Sequence, residues 1–327
     1  MRVFVAGGAG YIGSIVTAQL LEAGHQVTVY DSLIKGYRQA IPAQARFVAG
    51  DILDRSALDA VLGADAYDAI IHFAAFIEAG ISMVEPGSFF RNNVMGSMTL
   101  IEAAVAHGVT KLVFSSTAGV YVSKDTPLTE NDPIGPVSVY GHTKRMIEDT
   151  LGWYHKIHGL RYAALRYFNA AGAMPPDRGE AHRPETHLIP LVLQVPLGQR
   201  ERVYIYGADY PTPDGTCIRD YVHVLDLSAA HILALDALEA YPELICNLGN
   251  GAGYSVREVI ETAERVIGQA IPKQVVARRP GDGAILVADA SRARRLLGWE
   301  PQIPDLHEII SSAWAWHQAH PHGYSAD

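Results

Sequence analysis

Cysteine is nearly absent from this sequence of 327 residues. The two cysteines, Cys217 and Cys246, are far apart and stand outside any Cys-x-x-Cys pattern. This excludes a disulfide framework and a zinc finger, and it favours a reducing compartment. The sequence also lacks a run of about 18 apolar residues, so we expect no membrane partner. Because the chain enters an apparent strand at once, we expect no signal peptide and a cytoplasmic location.

An excess of positive charge is also missing. The chain has 26 Lys and Arg against 35 Asp and Glu, a net charge of −9 at pH 7. Nucleic-acid binders usually present a basic surface, so we expect no nucleic-acid partner, although a local basic pocket is compatible with this composition. Hydrophobic residues make up 49% of the chain, which provides for a packed core and excludes a disordered protein.

Strands and helices alternate regularly over the first 170 residues. Such alternation predicts an α/β fold with a Rossmann-type doubly wound parallel sheet, because parallel neighbours need crossover connections. After residue 170 proline and glycine become dense and the regularity is lost. We therefore predict a nucleotide-binding domain at residues 1–170 and a smaller mixed α/β substrate domain at 171–327, with some later segments returning to the first domain. The predicted strands cover 3–6, 26–30, 47–48, 69–73, 111–114 and 162–166, and the predicted helices include 55–62, 92–107 and 141–158.

A glycine-rich turn between the first strand and the first helix predicts a dinucleotide site. Gly8, Gly10 and Gly13 fit G-x-G-x-x-G, and Gly7 extends the pattern. Such a turn lets a pyrophosphate approach the amide groups at a helix N-terminus. Asp31 ends the second strand, where a carboxylate accepts from an adenosine 2′-hydroxyl and repels a 2′-phosphate, which favours NAD over NADP. The alternative is a turn that only connects strand to helix.

Tyr140 and Lys144 are four residues apart and lie on one face near the start of a predicted helix. A phenol has a pKa near 10 and is a poor base unless a neighbouring cation, here Lys144, stabilises the phenolate. Ser115 and Thr117 end a predicted strand, at the edge where open α/β sheets bind ligands, and a hydroxyl there could relay a proton to Tyr140. The alternatives are a surface Tyr–Lys pair and simple turn capping.

Together these motifs resemble the UDP-galactose (UDP-glucose) 4-epimerases of the extended short-chain dehydrogenase/reductase family. The glycine turn, the Ser/Thr strand end and Tyr140-x-x-x-Lys144 carry the general resemblance. The finer resemblance extends over essentially the whole chain and rests on residues 72–75, 92–94, 166–172, 186–190, 206–216, 219–224, 278–282 and 288–291.

The resemblance implies reversible C4 epimerisation of UDP-glucose and UDP-galactose through a 4-keto intermediate, with bound NAD, in a homodimer. It makes the first domain NAD-binding and the second UDP-sugar-binding. The implied catalytic residues are Thr117, Tyr140 and Lys144. The candidate cofactor-binding residues are Gly7, Gly10, Tyr11, Ile12, Gly13, Asp31, Ser32, Asp51, Ile52, Phe73, Ala74, Ala75, Asn92, Ser115, Tyr140, Lys144 and Phe168. The candidate substrate-binding residues are Thr117, Tyr140, Asn169, Leu188, Tyr204, Tyr206, Arg219, Arg279 and Asp282.

Alternative functions stay open within this resemblance. Leu286 aligns with a position that limits the sugar pocket and is smaller than the Tyr of some members, so UDP-N-acetylhexosamines or UDP-pentoses are alternative substrates. A 4,6-dehydratase is disfavoured, because Ala118 and Gly119 follow Thr117 where dehydratases carry an Asp-Glu pair. A non-catalytic NAD sensor would not need Thr117, Tyr140 and Lys144. Arg279 beside Asp282 also fits a plain surface ion pair.

Departures from the family pattern concern single positions. Ile77 stands where a lysine that contacts NAD is frequent, so one polar cofactor contact is expected to be missing. Val122 and Val139 stand where Gly and a small residue are usual, and Val122 is expected to strain a turn that needs a positive φ. We expect no metal site, because the terminal histidines His317, His320 and His322 are expected to lie in a surface-exposed segment.

Overall fold

The computed structural model describes residues 1–279 and 281–324. Pro280, part of the 278–282 motif, and the last three residues of the predicted second domain lie outside the described residues. The strands are β1 (Arg2–Ala6), β2 (Gln26–Asp31), β3 (Arg46–Ala49), β4 (Ala69–His72), β5 (Lys111–Thr117), β6 (Arg161–Tyr167), β7 (Asn169–Ala171), β8 (Val203–Tyr206), β9 (Ile218–His223), β10 (Glu243–Leu248), β11 (Gly253–Ser255), β12 (Lys273–Val276) and β13 (Ile285–Leu286).

The helices alternate with these strands in the first half of the chain. They are α1 (Tyr11–Glu22), α2 (Arg55–Ala64), α3 (Ala79–Ser82), α4 (Pro86–Phe89), α5 (Gly96–Ala106), α6 (Val139–His158), α7 (Leu188–Leu193), α8 (Val224–Ala237), α9 (Val256–Ile267), α10 (Ser291–Leu297) and α11 (Leu306–Ala319). A π-helical stretch, Phe90–Met95, joins α4 to α5, and short 3-10 helices cover Arg38–Ala40 and Ala118–Val120.

Seven parallel strands form the central sheet in the order β10-β6-β5-β4-β1-β2-β3. One apolar core packs α1 and α8 against one face, and a second packs α2, α5 and α6 against the other. Strands buried on both faces are expected to be apolar, and the fully buried β4 is apolar up to its last residue, His72. The predicted doubly wound α/β sheet is confirmed.

The chain beyond residue 170 forms smaller sheets and also returns to the central one. β9 pairs with β7, β11 and β13, while β8 pairs with β12. A third core packs α7, α9 and α11 around these strands. β10 adds to the edge of the central sheet beside β6, so a late segment does return to the first sheet. The boundary at residue 170 stays a prediction.

The terminal histidine segment is not the surface-exposed segment that we expected. Trp316 is 1% exposed and His317 is 8% exposed. The indole ring of Trp316 on α11 packs against Gly179. His320 stacks on Trp316 with ring centroids 3.8 Å apart. The expectation holds only for His322, which is exposed.

Within the described residues, no helix has the length and apolar character needed to cross a membrane.

A buried ion pair fastens α6 to the central sheet. Arg166 on β6 donates to both carboxylate oxygens of Glu148 on α6, at 2.8 and 2.6 Å, and to the hydroxyl of Tyr121 at 2.8 Å. Ser116 on β5 donates to the same carboxylate at 2.6 Å. The two charged side chains are 2% and 1% exposed, so Arg166 depends on Glu148 for its charge balance, while Glu148 also lies 3.3 Å from Arg145.

We expect Glu148→Gln to lower the free energy of unfolding by about 3–5 kcal/mol, because it leaves the Arg166 guanidinium buried without a counter-charge. Urea denaturation followed by circular dichroism measures the change. The double variant Glu148→Leu, Arg166→Met serves as the control and should recover most of the loss. A single variant that costs less than about 1 kcal/mol would contradict this account.

Candidate active site

The seventeen candidate cofactor residues line one pocket at the carboxyl edge of the central sheet. They lie at or just after the carboxyl ends of β1 to β6 or on the helices beside them. Thr117 and Asn169 line the same pocket. The structure thus brings these residues together, and their role in binding a cofactor stays a prediction.

The glycine turn has no space for side chains. Gly7 adopts a φ of +83°, and a Cβ there would lie 2.4 Å from the backbone nitrogen of Ala74. A Cβ on Gly13 would lie 2.3 Å from the carbonyl oxygen of Gly7. Gly10 precedes α1, and no side chain caps that helix N-terminus. Free amide groups at the start of a helix suit a pyrophosphate, so this turn fits NAD.

Asp31 is fixed at the end of β2 by backbone hydrogen bonds. Its carboxylate accepts from the amides of Ala9 at 3.0 Å and of Leu33 at 2.8 Å. Burial raises the pKa of Asp31, and these two hydrogen bonds oppose the rise. Asp31 lines the pocket at the end of the second strand, where a carboxylate suits a ribose hydroxyl.

The start of α6 positions Tyr140 and Lys144. Ser138 caps the helix by accepting from the amide of Gly141 at 3.1 Å. Lys144 is 2% exposed and donates from Nζ to the carbonyl oxygen of Ser115 at 2.8 Å. Its Nζ lies 5.8 Å from the centre of the Tyr140 ring. The predicted pairing of these two side chains on one helix face is therefore present.

Burial opposes charge on both members of this pair. It raises the pKa of Tyr140 well above its usual value, and a hydrogen bond with Thr117 opposes the rise. Burial also lowers the pKa of Lys144 to about 7, against the influence of Glu148. Without a bound cofactor, burial therefore disfavours both the phenolate of Tyr140 and the ammonium of Lys144, and the predicted role of Lys144 beside the phenolate stays a prediction.

Thr117 also has the capping role that the sequence left open. Its hydroxyl oxygen accepts from the amide of Gly119 at 3.1 Å, at the start of a 3-10 helix.

The next strand, β6, contributes Tyr167, whose hydroxyl is hydrogen-bonded to that of Ser115. Tyr167 was not predicted, although its place at the end of β6 was a usable signal.

Asn93 holds two parts of the pocket together. Its side chain accepts from the amide of Phe76 at 2.8 Å and donates to the Thr143 hydroxyl at 3.1 Å. Thr143 in turn donates to the carbonyl oxygen of Tyr140 at 2.7 Å. Asn93 therefore links the loop after β4 to the first turn of α6.

Lys35 places a positive charge in the pocket near Ile77. Its Nζ lies 2.5 Å from Oε1 of Glu78 and 3.4 Å from the carbonyl oxygen of Arg183. Lys35, Ile77, Glu78 and Arg183 all line the pocket. The sequence analysis did not identify Lys35. The signal that could have led to it is Ile77, which stands where a lysine is frequent and so calls for a cation from elsewhere in the chain.

Val122 does not adopt the strained conformation that we expected. Among the non-glycine residues that the structure describes, only Leu33 has a positive φ, so Val122 does not. The amide of Val122 donates to the carbonyl oxygen of Pro133 at 3.0 Å, and its methyl group occupies space that glycine leaves at position 135. The expectation of strain was wrong, because this turn has a different backbone geometry.

The remaining candidate substrate residues lie outside this pocket. Arg279 lies 4.8 Å from the ring centre of Tyr206 and donates to Asp282 at 2.9 Å, while Arg219 lies 3.8 Å from Asp282. Tyr204 is exposed on β8, and Leu188 begins α7. Asn169 connects the two regions, because its amide donates to the carbonyl oxygen of Asp220, next to Arg219.

Comparison with known proteins identifies the family. The model of the NAD dependent epimerase/dehydratase family matches residues 3–249. The chain belongs to this family. It is 49% identical to a UDP-glucose 4-epimerase of Halalkalibacterium halodurans, over 100% of this chain and 98% of that protein.

Solved structures of this epimerase family share the whole fold. A UDP-glucose 4-epimerase from Brucella ovis in complex with NAD has a TM-score of 0.93 and 42% identity, with 98% of each chain covered. One from Bifidobacterium longum in complex with NAD+ and UDP has a TM-score of 0.94 and 34% identity, covering 99% of this chain and 100% of that one.

We expect Lys144→Met to raise the melting temperature of the ligand-free protein. The folded pKa of Lys144, about 7, lies below its unfolded value near 10.4, so the unfolded chain binds the proton more tightly. The cost of burial is complete below about pH 7 and disappears as the pH rises towards about 10. The gain should shrink over this range in calorimetric scans.

The exposed Lys156→Met on the same helix provides the matched control and should change little at any pH. A gain that is absent at pH 7, or that grows towards pH 10, would show that Lys144 is not destabilised by burial.

Proposed function

We propose that the chain interconverts UDP-glucose and UDP-galactose by inverting C4, with NAD bound in the pocket at the sheet edge. The observation that carries this proposal is that Thr117, Tyr140 and Lys144 meet the glycine turn in one pocket. Bound NAD supplies the reversible redox chemistry at C4. The whole-chain similarity to UDP-glucose 4-epimerases supports the choice of substrate.

In this proposal Tyr140 is the base and the acid. Its phenolate takes the proton of the 4-hydroxyl, directly or through the Thr117 hydroxyl, as the C4 hydrogen leaves with its electron pair. The product is a 4-keto sugar, which turns over in the pocket. The C4 hydrogen then returns to the opposite face, and Tyr140 gives the proton back to the oxygen. The positive charge of Lys144 stabilises the phenolate. The positive charge of the oxidised cofactor would add to this effect and stabilise the phenolate further.

The UDP group needs an anchor that holds while the sugar turns. Arg219 and Arg279 offer guanidinium groups suited to a diphosphate, and Tyr206 offers a ring beside Arg279. Asp282 pairs with both arginines and so holds them within reach of one ligand. Strong contacts to the nucleotide leave the sugar free to rotate, which the reaction requires.

Incubation of the purified protein with UDP-galactose, followed by chromatography for UDP-glucose, tests the activity. Heat denaturation of the same sample should release about one NAD per chain. If no UDP-glucose forms and no nucleotide is released, the proposal is wrong.

We expect Tyr140→Phe to lower kcat by at least about 100-fold while the NAD content stays unchanged, because the ring remains and only the proton carrier is lost. Turnover of UDP-galactose and the absorbance of released cofactor measure both quantities. Tyr241→Phe, at a half-exposed position outside the pocket, is the control and should keep full activity. A Tyr140→Phe enzyme with full kcat would exclude Tyr140 as the base.

Leu286 favours a second substrate class, the UDP-N-acetylhexosamines. It packs against the same small apolar core as Phe168, which lines the pocket, and its backbone pairs with Arg219. We expect Leu286→Tyr to lower kcat/KM for UDP-N-acetylglucosamine at least about 10-fold more than for UDP-galactose, because the larger ring takes the space of the acetyl group. Leu286→Met is the control. Equal losses for both sugars would contradict a role in sugar size.

We also propose a homodimer formed by α6 and the helical stretch before α5. On α6, Trp153 is 62% exposed and Ile157 is 67% exposed, and Met95, in the helical stretch that packs against α6, is 57% exposed. Side chains of this size rarely lie together in water, and a second copy of the chain would cover them.

Light scattering after size-exclusion chromatography should give twice the mass of the chain. The double variant Trp153→Glu, Ile157→Glu should give the monomer mass, because two buried charges would oppose the contact. Val275→Glu, on an exposed strand elsewhere, is the control. A dimer that survives the double variant would place the interface elsewhere.

We assign the protein to the cytoplasm on the state of its cysteines. Cys217 and Cys246 are both buried and free, as expected in a reducing compartment.

A further inference from the structure

Four side chains that the proposed reaction does not use lie together between β7 and α7. We call them the Glu–His loop: Glu180, His182, Glu185 and His187. One ligand atom from each lies within 4.8 Å of all the others. Their spacing along the chain is short, so a single loop provides the whole set. This density of carboxylates and imidazoles is what a metal site requires.

The distances within the Glu–His loop fit four ligands around one ion. Nδ1 of His182 lies 3.1 Å from Glu180 and 3.6 Å from Glu185, and Nδ1 of His187 lies 2.8 and 3.2 Å from the same two carboxylates. Four atoms at about 2.1 Å from a tetrahedral ion are about 3.4 Å apart. The four imidazole–carboxylate distances, 2.8 to 3.6 Å, lie around this value, and with one ligand atom per residue the spread reaches at most 4.8 Å, so binding would draw the side chains together.

The orientation of His182 is an independent sign. Its Nδ1 is fully buried and lies 3.1 Å from Glu180 and 3.6 Å from Glu185, but at angles outside hydrogen-bond geometry. Buried ring nitrogens normally have a partner, and an exception calls for an explanation such as an absent ion. The His182 nitrogen faces the same small space as the carboxylates without being in line with either.

The surrounding structure holds these side chains in place. Glu185 accepts from the amides of Thr186 and His187, each at 2.8 Å, and Glu180 has a side chain only 6% exposed. The ring of Tyr11 lies edge-on to His182, with centroids 6.2 Å apart. Such support orients ligands before an ion arrives, as in known metal sites.

Neighbouring cations do not satisfy the two carboxylates. The guanidinium of Arg183 lies over the Tyr37 ring and donates to the carbonyl oxygen of His322, and Lys35 pairs with Glu78. Within the described residues, the ion pairs of Glu180 and Glu185 are with the two histidines alone.

We propose that the Glu–His loop binds one divalent transition-metal ion of the zinc class. Two imidazoles with two carboxylates suit Zn²⁺, whereas Mg²⁺ and Ca²⁺ prefer six or more oxygen ligands. The two carboxylates neutralise the ion. This proposal departs from the expectation of no metal site, which considered only the terminal histidines.

The ion would hold one wall of the cofactor pocket rather than take part in proton transfer. Glu180, His182 and His187 line that pocket, and His187 directly precedes Leu188 at the start of α7. A metal bound to both ends of this loop would hold that wall of the pocket in place. It would also hold His182 against Tyr11, which follows the glycine turn. Its role is thus structural, and its detection does not depend on epimerase activity.

Metal content tests the proposal. The full-length protein without a histidine tag is stripped with a chelator, dialysed against Zn²⁺ and then against buffer, and measured by plasma mass spectrometry. We expect about one zinc per chain, and at least a 100-fold weaker affinity for His182→Gln and Glu185→Gln in chelator competition. His307→Gln, an exposed histidine on α11, is the matched control and should bind like the unaltered chain.

A second readout covers variants that fold poorly. Substitution of Co²⁺ into the unaltered protein should give the intense visible absorption of a four-coordinate site, and Zn²⁺ should raise its melting temperature in a saturable way. If the loop is only a set of ion pairs, the protein binds no stoichiometric zinc and shows no cobalt bands. Either that outcome or unchanged binding by folded His182→Gln overturns the proposal.

Discussion

The buried contact between Glu148 and Arg166 is the constraint on which the candidate active site depends. Helix α6 carries Tyr140 and Lys144 in its first two turns, and Glu148 follows one turn later. The pair fixes this helix to β6, while Ser116 fixes it to β5. Because the charges are buried, any rotation of the helix would leave one of them unpaired at a cost of several kcal/mol. The position of the phenol is therefore set by a contact two turns away.

The same helix explains why the site needs its cofactor. Glu148 is the group that opposes the fall in the Lys144 pKa, yet burial still brings that pKa to about 7. Burial also raises the pKa of Tyr140, so the two side chains favour their neutral forms. A positive charge bound against Tyr140 would reverse this preference. In the proposed mechanism Tyr140 therefore acts as a base only beside the cofactor, which fits the shared pocket of the glycine turn, Thr117 and Tyr140.

Much of this arrangement follows from sequence pattern. The alternation of apolar runs with helical spacing predicts the central sheet, and the glycine turn, Asp31 and Tyr140-x-x-x-Lys144 locate the pocket, because parallel strands all present their carboxyl ends to one edge. Contacts between distant loops were not predictable. Lys35 and Glu78 belong to different loops, and only the folded chain brings them together. The closeness of Glu180 to His187 depends on the path of a proline-containing loop, which spacing alone does not determine.

The most direct test of this account is a titration of Tyr140 itself. The ultraviolet absorbance of tyrosinate is recorded against pH for the unaltered protein minus the Tyr140→Phe variant, first without cofactor, then with NAD+ and with NADH. We predict that NAD+ lowers the pKa of Tyr140 by several units and that NADH, whose ring is uncharged, lowers it far less. An equal shift with both forms, or a low pKa without cofactor, would contradict the claim that the cofactor's charge completes the base.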